Sequence, residues 1–132
     1  NTLIGSCDFS IQGGSVDAAF ISITNFSIVP NNGNLTGEEY NIWAGDNVTK
    51  LGETIAQSEG YITSTNANVN ADGIYYTDMG EATYLSAFGD SGGPVYLTDS
   101  KKVIGIHKGS TAFTSIFVKV DNIASKLNAH FN

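Results

Sequence analysis

Hydrophobic positions along this chain mostly recur at every second residue, in short runs separated by turn-forming residues. Val16 to Ile23 (VDAAFISI) predicts a buried strand, and Ser27 to Thr36, centred on Pro30-Asn31-Asn32-Gly33, predicts a loop. Tyr40 to Ala44 (YNIWA) alternates again and ends at Gly45-Asp46-Asn47. Glu53 to Gln57 and Gly60 to Thr65 read as a strand pair, and Ile74 to Thr77 as a short aromatic strand. Val95 to Leu97, Val103 to His107 and Ser115 to Val120 complete the set. A spacing of roughly 8–12 residues between strands is that of a sandwich or barrel. The period then changes. Ile123, Leu127 and Phe131 stand four apart and predict a helix over Asp121 to Phe131, with Asp121 or Asn122 as N-cap. The expected fold is all-β, a closed antiparallel barrel with a docked C-terminal helix.

Composition narrows the partners. Of the 132 residues, 41% are hydrophobic and 14% charged, too apolar for a disordered chain and too interrupted for a membrane protein. Six Lys+Arg against 13 Asp+Glu leave a net charge of −7, which repels phosphate backbones and argues against nucleic acid. One cysteine and two distant histidines make no ligand cluster, so neither a metal nor an organic cofactor is expected. The start at Asn1, with Met79 the only methionine, leads to the expectation that an upstream segment has been removed. Triplets at Asn25-Phe26-Ser27, Asn34-Leu35-Thr36 and Asn47-Val48-Thr49 lean towards a secreted protein. Two readings of Cys7 stay open: a buried free thiol, or a bridge to a cysteine on the missing segment.

Chemistry concentrates in Gly89-Asp90-Ser91-Gly92-Gly93-Pro94. A hydroxyl set among glycines permits a tight turn with positive φ, and such a turn can aim the amides of Gly89 and Ser91 at one point, a donor pair for an oxyanion. This segment resembles the nucleophile motif of the chymotrypsin-like serine proteases. Ser15 to Ile21 (SVDAAFI) is similar to the strand that carries that family's triad acid, and the 74 residues from Asp17 to Ser91 agree with its shorter, bacterial-type members. Val103 to His107 is similar to the strand lining the primary specificity pocket, and the terminal helix is also a family feature. The resemblance covers nearly the whole chain but only the second part of a full protease. It implies that residues 1–36 are the end of a first barrel and the inter-barrel connection, and 37–132 a second barrel with nucleophile, pocket and helix.

By the resemblance, Ser91 is the nucleophile, Asp17 orients the base, and the Gly89 and Ser91 amides form the oxyanion hole. The base itself is missing. The family's histidine precedes the aspartate, whereas the 16 residues before Asp17 contain no histidine, and His107 and His130 both follow Ser91. His130 is expected on the helix surface. Without a base a serine is a weak nucleophile, so this chain alone is expected to be inert, its histidine supplied by an N-terminal chain to which Cys7 could be linked. Gly105 to Ser110 (GIHKGS) resembles the glutamyl endopeptidases, which implies that His107, with the hydroxyls of Ser86 and Ser110, contacts an acidic substrate side chain. Leu85 stands where an acid would select basic residues. Strand alternation predicts that Lys108 points away from His107 and Gly109 as a surface or partner contact, while the backbone of Lys108, Gly109 and Ser110 pairs with an extended substrate. Phe88 has two roles open, a cover on the pocket mouth or core packing. Asp90 could receive a freed amine, as in trypsin-type zymogens; bacterial-type members manage without that switch. The expected function is a secreted endopeptidase acting on protein or peptide substrates after Glu. The alternatives are an inactive homologue that binds proteins, and a plain barrel in which the motif is accidental.

Overall fold

The computed structural model describes residues 3–25 and 34–130. Eight strands and one helix follow in order: β1 (Gly5–Gly13), β2 (Val16–Ile23), β3 (Asn47–Leu51), β4 (Gln57–Ala71), β5 (Ile74–Ala82), β6 (Pro94–Leu97), β7 (Val103–Ser110), β8 (Ser115–Lys119) and α1 (Val120–Leu127). β1 and β2 form a separate antiparallel hairpin, and β3-β4-β5-β8-β7-β6 close into a barrel. No helix among the described residues is long and apolar enough to cross a membrane.

Turn chemistry sets the registers. Asp72 and Gly73, with φ of 53° and 79°, join β4 to β5 between the paired Ala71 and Ile74. This is the two-residue Asp-Gly hairpin whose twist matches its flanking strands. Gly14 and Ser15 turn β1 into β2 in the same way, and that turn is tied to β5: Gly14 N–H donates to Tyr75 O, and Thr77 N–H to Gly14 O. The hairpin end bearing Asp17 is thereby fixed to the barrel.

Two apolar clusters fill the fold. Val48, Ile62, Ala82, Tyr84, Val95, Ile104 and Phe117 occupy the barrel. Tyr76, Met79, Ile116, Val118, Ile123 and Leu127 join the barrel to α1, with Ile11 and Ala18 of the hairpin packed on them. Gly80 pairs with Phe117, and a Cβ there would fall 2.1 Å from the ring, so only glycine lets this phenylalanine fill the centre.

Several expectations need correction. Tyr40 to Ala44 is not a strand, and Glu53 to Ala56 is a bend; the strand in this region is β3, which the alternation missed. β2 has the expected bounds but is buried only at Val16: Phe20 on one face and Ile21 and Ile23 on the other are exposed at the end of the hairpin away from the Gly14 turn. Phe9 and Phe20 stack there with centroids 5.5 Å apart. Cys7 is exposed, which removes the buried-thiol reading. α1 starts at Val120 with Lys119 as N-cap and no side-chain cap, because β8 runs straight into the helix. Asp121 and Asn122 therefore lie in the first turn, where the Asp121 charge suits the helix dipole. Phe131 and most of the Ser27 to Thr36 loop lie outside the described residues.

Truncating the barrel centre should cost far more than truncating the hairpin face. Phe117→Ala is expected to lose about 3–5 kcal/mol. Phe20→Ala, on an uncovered face, should lose less than about 1 kcal/mol in this chain. Urea unfolding of both variants measures the contrast, and equal losses would mean that the hairpin face is packed.

Candidate active site

The loop before β6 is organised around a buried carboxylate. Asp90 and Lys50 expose no side-chain surface, and Lys50 Nζ lies 2.6 Å from Asp90 Oδ2. Asp90 also accepts N–H bonds from Thr54 (2.8 Å), Ile55 (3.0 Å) and Ala87 (3.0 Å), while Lys50 donates a second bond to Ile55 O at 2.8 Å. Burial opposes the charged carboxylate, but Lys50 and the three amides outweigh it and hold the Asp90 pKa well below the usual range. A Cβ on Gly52 would sit 2.5 Å from Asp90 Oδ1, so the pair also requires glycine there. With both carboxylate oxygens engaged by internal groups, Asp90 has no vacancy for a freed amine.

Around this anchor the motif takes the expected turn. Gly89 and Gly92 have φ of 103° and 91°, values that favour glycine. Thr54 Oγ1 donates to Phe88 O, and Gly92 N–H to His107 O, which pins both ends. Neither the Gly89 nor the Ser91 amide finds an acceptor among the described residues. Two free donors flank an exposed serine. One cleft runs from Ser91 along Leu51 to Glu53 and Ala56; a second lies between Val69–Asp72 and Lys108–Thr111.

Ser91 Oγ donates to Lys108 O at 2.8 Å, and Lys108 Nζ lies 2.5 Å from Asp17 Oδ2. One residue thus joins Ser91, through its main chain, to Asp17, through its side chain. The ammonium also lies 3.8 Å above the Tyr76 ring centre. Burial works against its charge, but Asp17 and Tyr76 raise the pKa of Lys108 overall, so it cannot serve as a base near neutral pH. Lys108 does point away from His107, but it is not a surface residue. A bulge in β7 between His107 and Gly109 turns it towards β2 and β5.

His107 is 2% exposed, with Nδ1 2.9 Å from the Tyr84 hydroxyl. Desolvation, then the nearby Lys50, lower its pKa to about 4, partly offset by Asp90, so the ring is neutral at neutral pH. The adjacent pocket is lined by Thr83–Ser86 and Ser110–Ser115, with no charged residue. Ser86 donates to Ser115 Oγ (2.9 Å), which donates to Tyr84 O (2.8 Å). A Cβ at Gly109 would meet nothing within 4 Å, which leaves that stretch of β7 open. Phe88 is fully exposed, as is nearly all of Phe113 on the pocket wall, so Phe88 has no core role. His130 lies beyond the end of α1, 3.1 Å from Glu38, and takes no part. Sequence reasoning missed Lys50, Tyr76 and Tyr84. A lysine set in the run Val48-Thr49-Lys50-Leu51 was the one available signal for the first.

Two groups make stability fall with acid, by opposite routes. His107 is held below its unfolded value near 6.5, so the unfolded chain gains a proton first, and stability should erode as pH falls from about 6.5 towards 4. Asp90 stabilises fully above its unfolded value near 3.9, and that stabilisation is lost as pH falls below it. Lys50→Met strands the buried carboxylate and should lower Tm by on the order of 10 °C at pH 7. Calorimetry from pH 3 to 8 checks both; a flat Tm between pH 7 and 4.5, or a Lys50→Met chain as stable as the parent, contradicts the assignment.

Residues 22–127 match the sequence profile of the Trypsin family. The chain is 39% identical over 72 residues to glutamyl endopeptidase 2 of Streptomyces griseus, a match covering 54% of this chain and 37% of that protein. The chain thus spans little more than a third of this curated relative. Among solved structures, a glutamic acid specific serine protease, described as using a histidine triad in substrate binding, superposes with a TM-score of 0.84. It is 22% identical, and the match covers 99% of this chain and 75% of that one. Cellulomonas bogoriensis chymotrypsin gives a TM-score of 0.76 at 21% identity, over 93% of this chain and 72% of that one. These superpositions show the chymotrypsin-like fold. The profile match covers most of the chain and carries the conclusion: this chain belongs to the trypsin family.

Proposed function

We propose that this chain is the nucleophile-bearing part of a secreted serine endopeptidase that cuts after glutamate, its general-base histidine supplied by a segment upstream of Asn1. In this reading residues 1–36 end a first barrel and 37–132 form the second. The carrying observation is the Ser91–Lys108–Asp17 arrangement beside two unpaired amides, between clefts that can take a peptide on either side of Ser91.

In this mechanism Ser91 Oγ attacks the substrate carbonyl and its proton passes to the incoming histidine. The oxygen that becomes negative is held by the Gly89 and Ser91 N–H groups. Asp17 holds the histidine by its ring N–H and stabilises the imidazolium. The histidine then gives the proton to the leaving amine. An extended substrate adds to the open edge at Lys108 to Ser110.

An upstream segment is supported by the exposed apolar side chains on both faces of the hairpin, Phe9 and Phe20 on one and Ile21 and Ile23 on the other, which a further part of the first barrel would cover. Exposed Cys7 on the same hairpin is accessible to a disulfide with it. Preference for Glu is supported by the glutamyl endopeptidase relative and by a hydroxyl-lined pocket with no acid to select Lys or Arg. The two histidines of this chain, one of them paired with Glu38, cannot compose a histidine triad. Within this chain, recognition is assigned to His107 with the hydroxyls of Ser86 and Ser110. One observation favours the second reading, a protein-binding homologue without activity: Lys108 already occupies the Asp17 carboxylate.

The test is fluorophosphonate labelling of the native, unreduced protein, read by intact mass. A second chain in the sample and a single adduct at Ser91 support the protease. With the upstream segment present, Ser91→Ala should abolish cleavage of Glu peptides, and Asp17→Asn should lower kcat roughly 10⁴-fold. An unlabelled Ser91 in the presence of that segment would leave the binding homologue.

A further inference from the structure

His107 comes from β7 and Tyr84 follows β5, yet their side chains meet in the barrel, each 2% exposed, with rings edge to face at 5.5 Å. Either partner of the 2.9 Å contact between the Tyr84 hydroxyl and His107 Nδ1 could donate. The surroundings decide. The charged groups acting on the ring are Lys50 on β3 and Asp90 before β6, themselves paired, while β8 places Phe117 opposite. The ring is neutral there and carries one N–H. If Nδ1 held it, the phenol would accept, and its own hydrogen would be buried without an acceptor, since Tyr84 has no other side-chain bond among the described residues. If the phenol donates, both groups are satisfied and the proton lies on Nε2.

Nε2 makes no hydrogen bond to a described residue. Yet no buried side-chain nitrogen or oxygen among the described residues lacks a partner, so this atom keeps contact with solvent although its ring is almost wholly covered. The ring's partner Tyr84 lines the neighbouring pocket, together with Ser86, Ser110 and Ser115.

We propose that Tyr84 is a positioning residue for recognition: its hydroxyl donates to His107 Nδ1, fixes the proton on Nε2, and so offers a neutral N–H donor to an acidic substrate side chain. The substrate class rests on the Glu reading above; the tautomer does not. A carboxylate accepts such a bond more strongly than an amide oxygen does, so the donor distinguishes Glu from Gln without a positive charge on the ring.

The experiment is long-range 15N–1H spectroscopy of the histidine rings in the 15N-labelled protein at pH 7. The expected result is His107 protonated on Nε2 alone; a proton on Nδ1 overturns the proposal, and this reading needs no variant. Tyr84→Phe should mix the two tautomers. In the protein with its upstream segment, it should also lower kcat/KM for Glu peptides by roughly 10- to 100-fold while Gln peptides change little. A Tyr84→Phe protein that keeps the Nε2 tautomer and full Glu preference also overturns the proposal. If the wild-type ring shows the Nε2 proton but Glu and Gln peptides are cut alike, the Glu reading fails and takes the recognition role with it, while the tautomer stands. The spectrum therefore tells the two failures apart.

Discussion

The buried pair of Lys50 and Asp90 is the constraint on which the active-site region depends. Two charges stripped of water are tolerable only when every remaining lone pair and proton is matched, and here the amides of Thr54, Ile55 and Ala87 and the carbonyl of Ile55 match them. The pair ties β3 to the turn that holds Ser91, and it fixes the conformation that leaves the Gly89 and Ser91 amides without acceptors. It dictates Gly52, whose missing side chain makes room for it. Its ammonium is also one of the two influences that keep His107 uncharged. Backbone geometry at the nucleophile and charge state in the neighbouring pocket thus share one electrostatic origin.

A second device acts at Lys108. At the bulge in β7 its side chain reaches across to β2, while its carbonyl stays beside Ser91. Asp17, on β2, and Ser91, in the turn before β6, lie far apart in sequence. They are brought into one arrangement by a single residue that bonds to both. The docking of the Gly14 turn on Tyr75 and Thr77 completes the assembly by fixing the end of the hairpin.

The sequence made the turn around Ser91 legible because positive φ demands glycine, and glycines in a fixed order are visible. The strand that carries Asp17 was legible with its bounds. β3 was not, because Val48, Thr49 and Lys50 are all buried, so the strand shows no alternation. Tyr40 to Ala44 does alternate, but Tyr40 and Trp43 are exposed and no strand pairs with the segment. β4 was read only over Gly60 to Thr65, although it runs from Gln57 to Ala71, since its polar side chains and three register shifts conceal the period beyond. Tyr84 was invisible as a partner of His107 because nothing local records which side chains a barrel brings together.

The hairpin of β1 and β2 is the one sheet in the described structure that does not close. A closed barrel uses up its main-chain donors and acceptors around the ring, whereas a two-stranded ribbon leaves a row of them along each outer edge. Any strand laid against that edge meets a ladder already shifted at Cys7 and Phe9, where the β1–β2 register skips. A slip of one residue in such a pairing reverses every side chain between faces. The hairpin is therefore a template with its own phase. A strand added to it would have to match that phase along its whole length to keep its side chains on their proper faces.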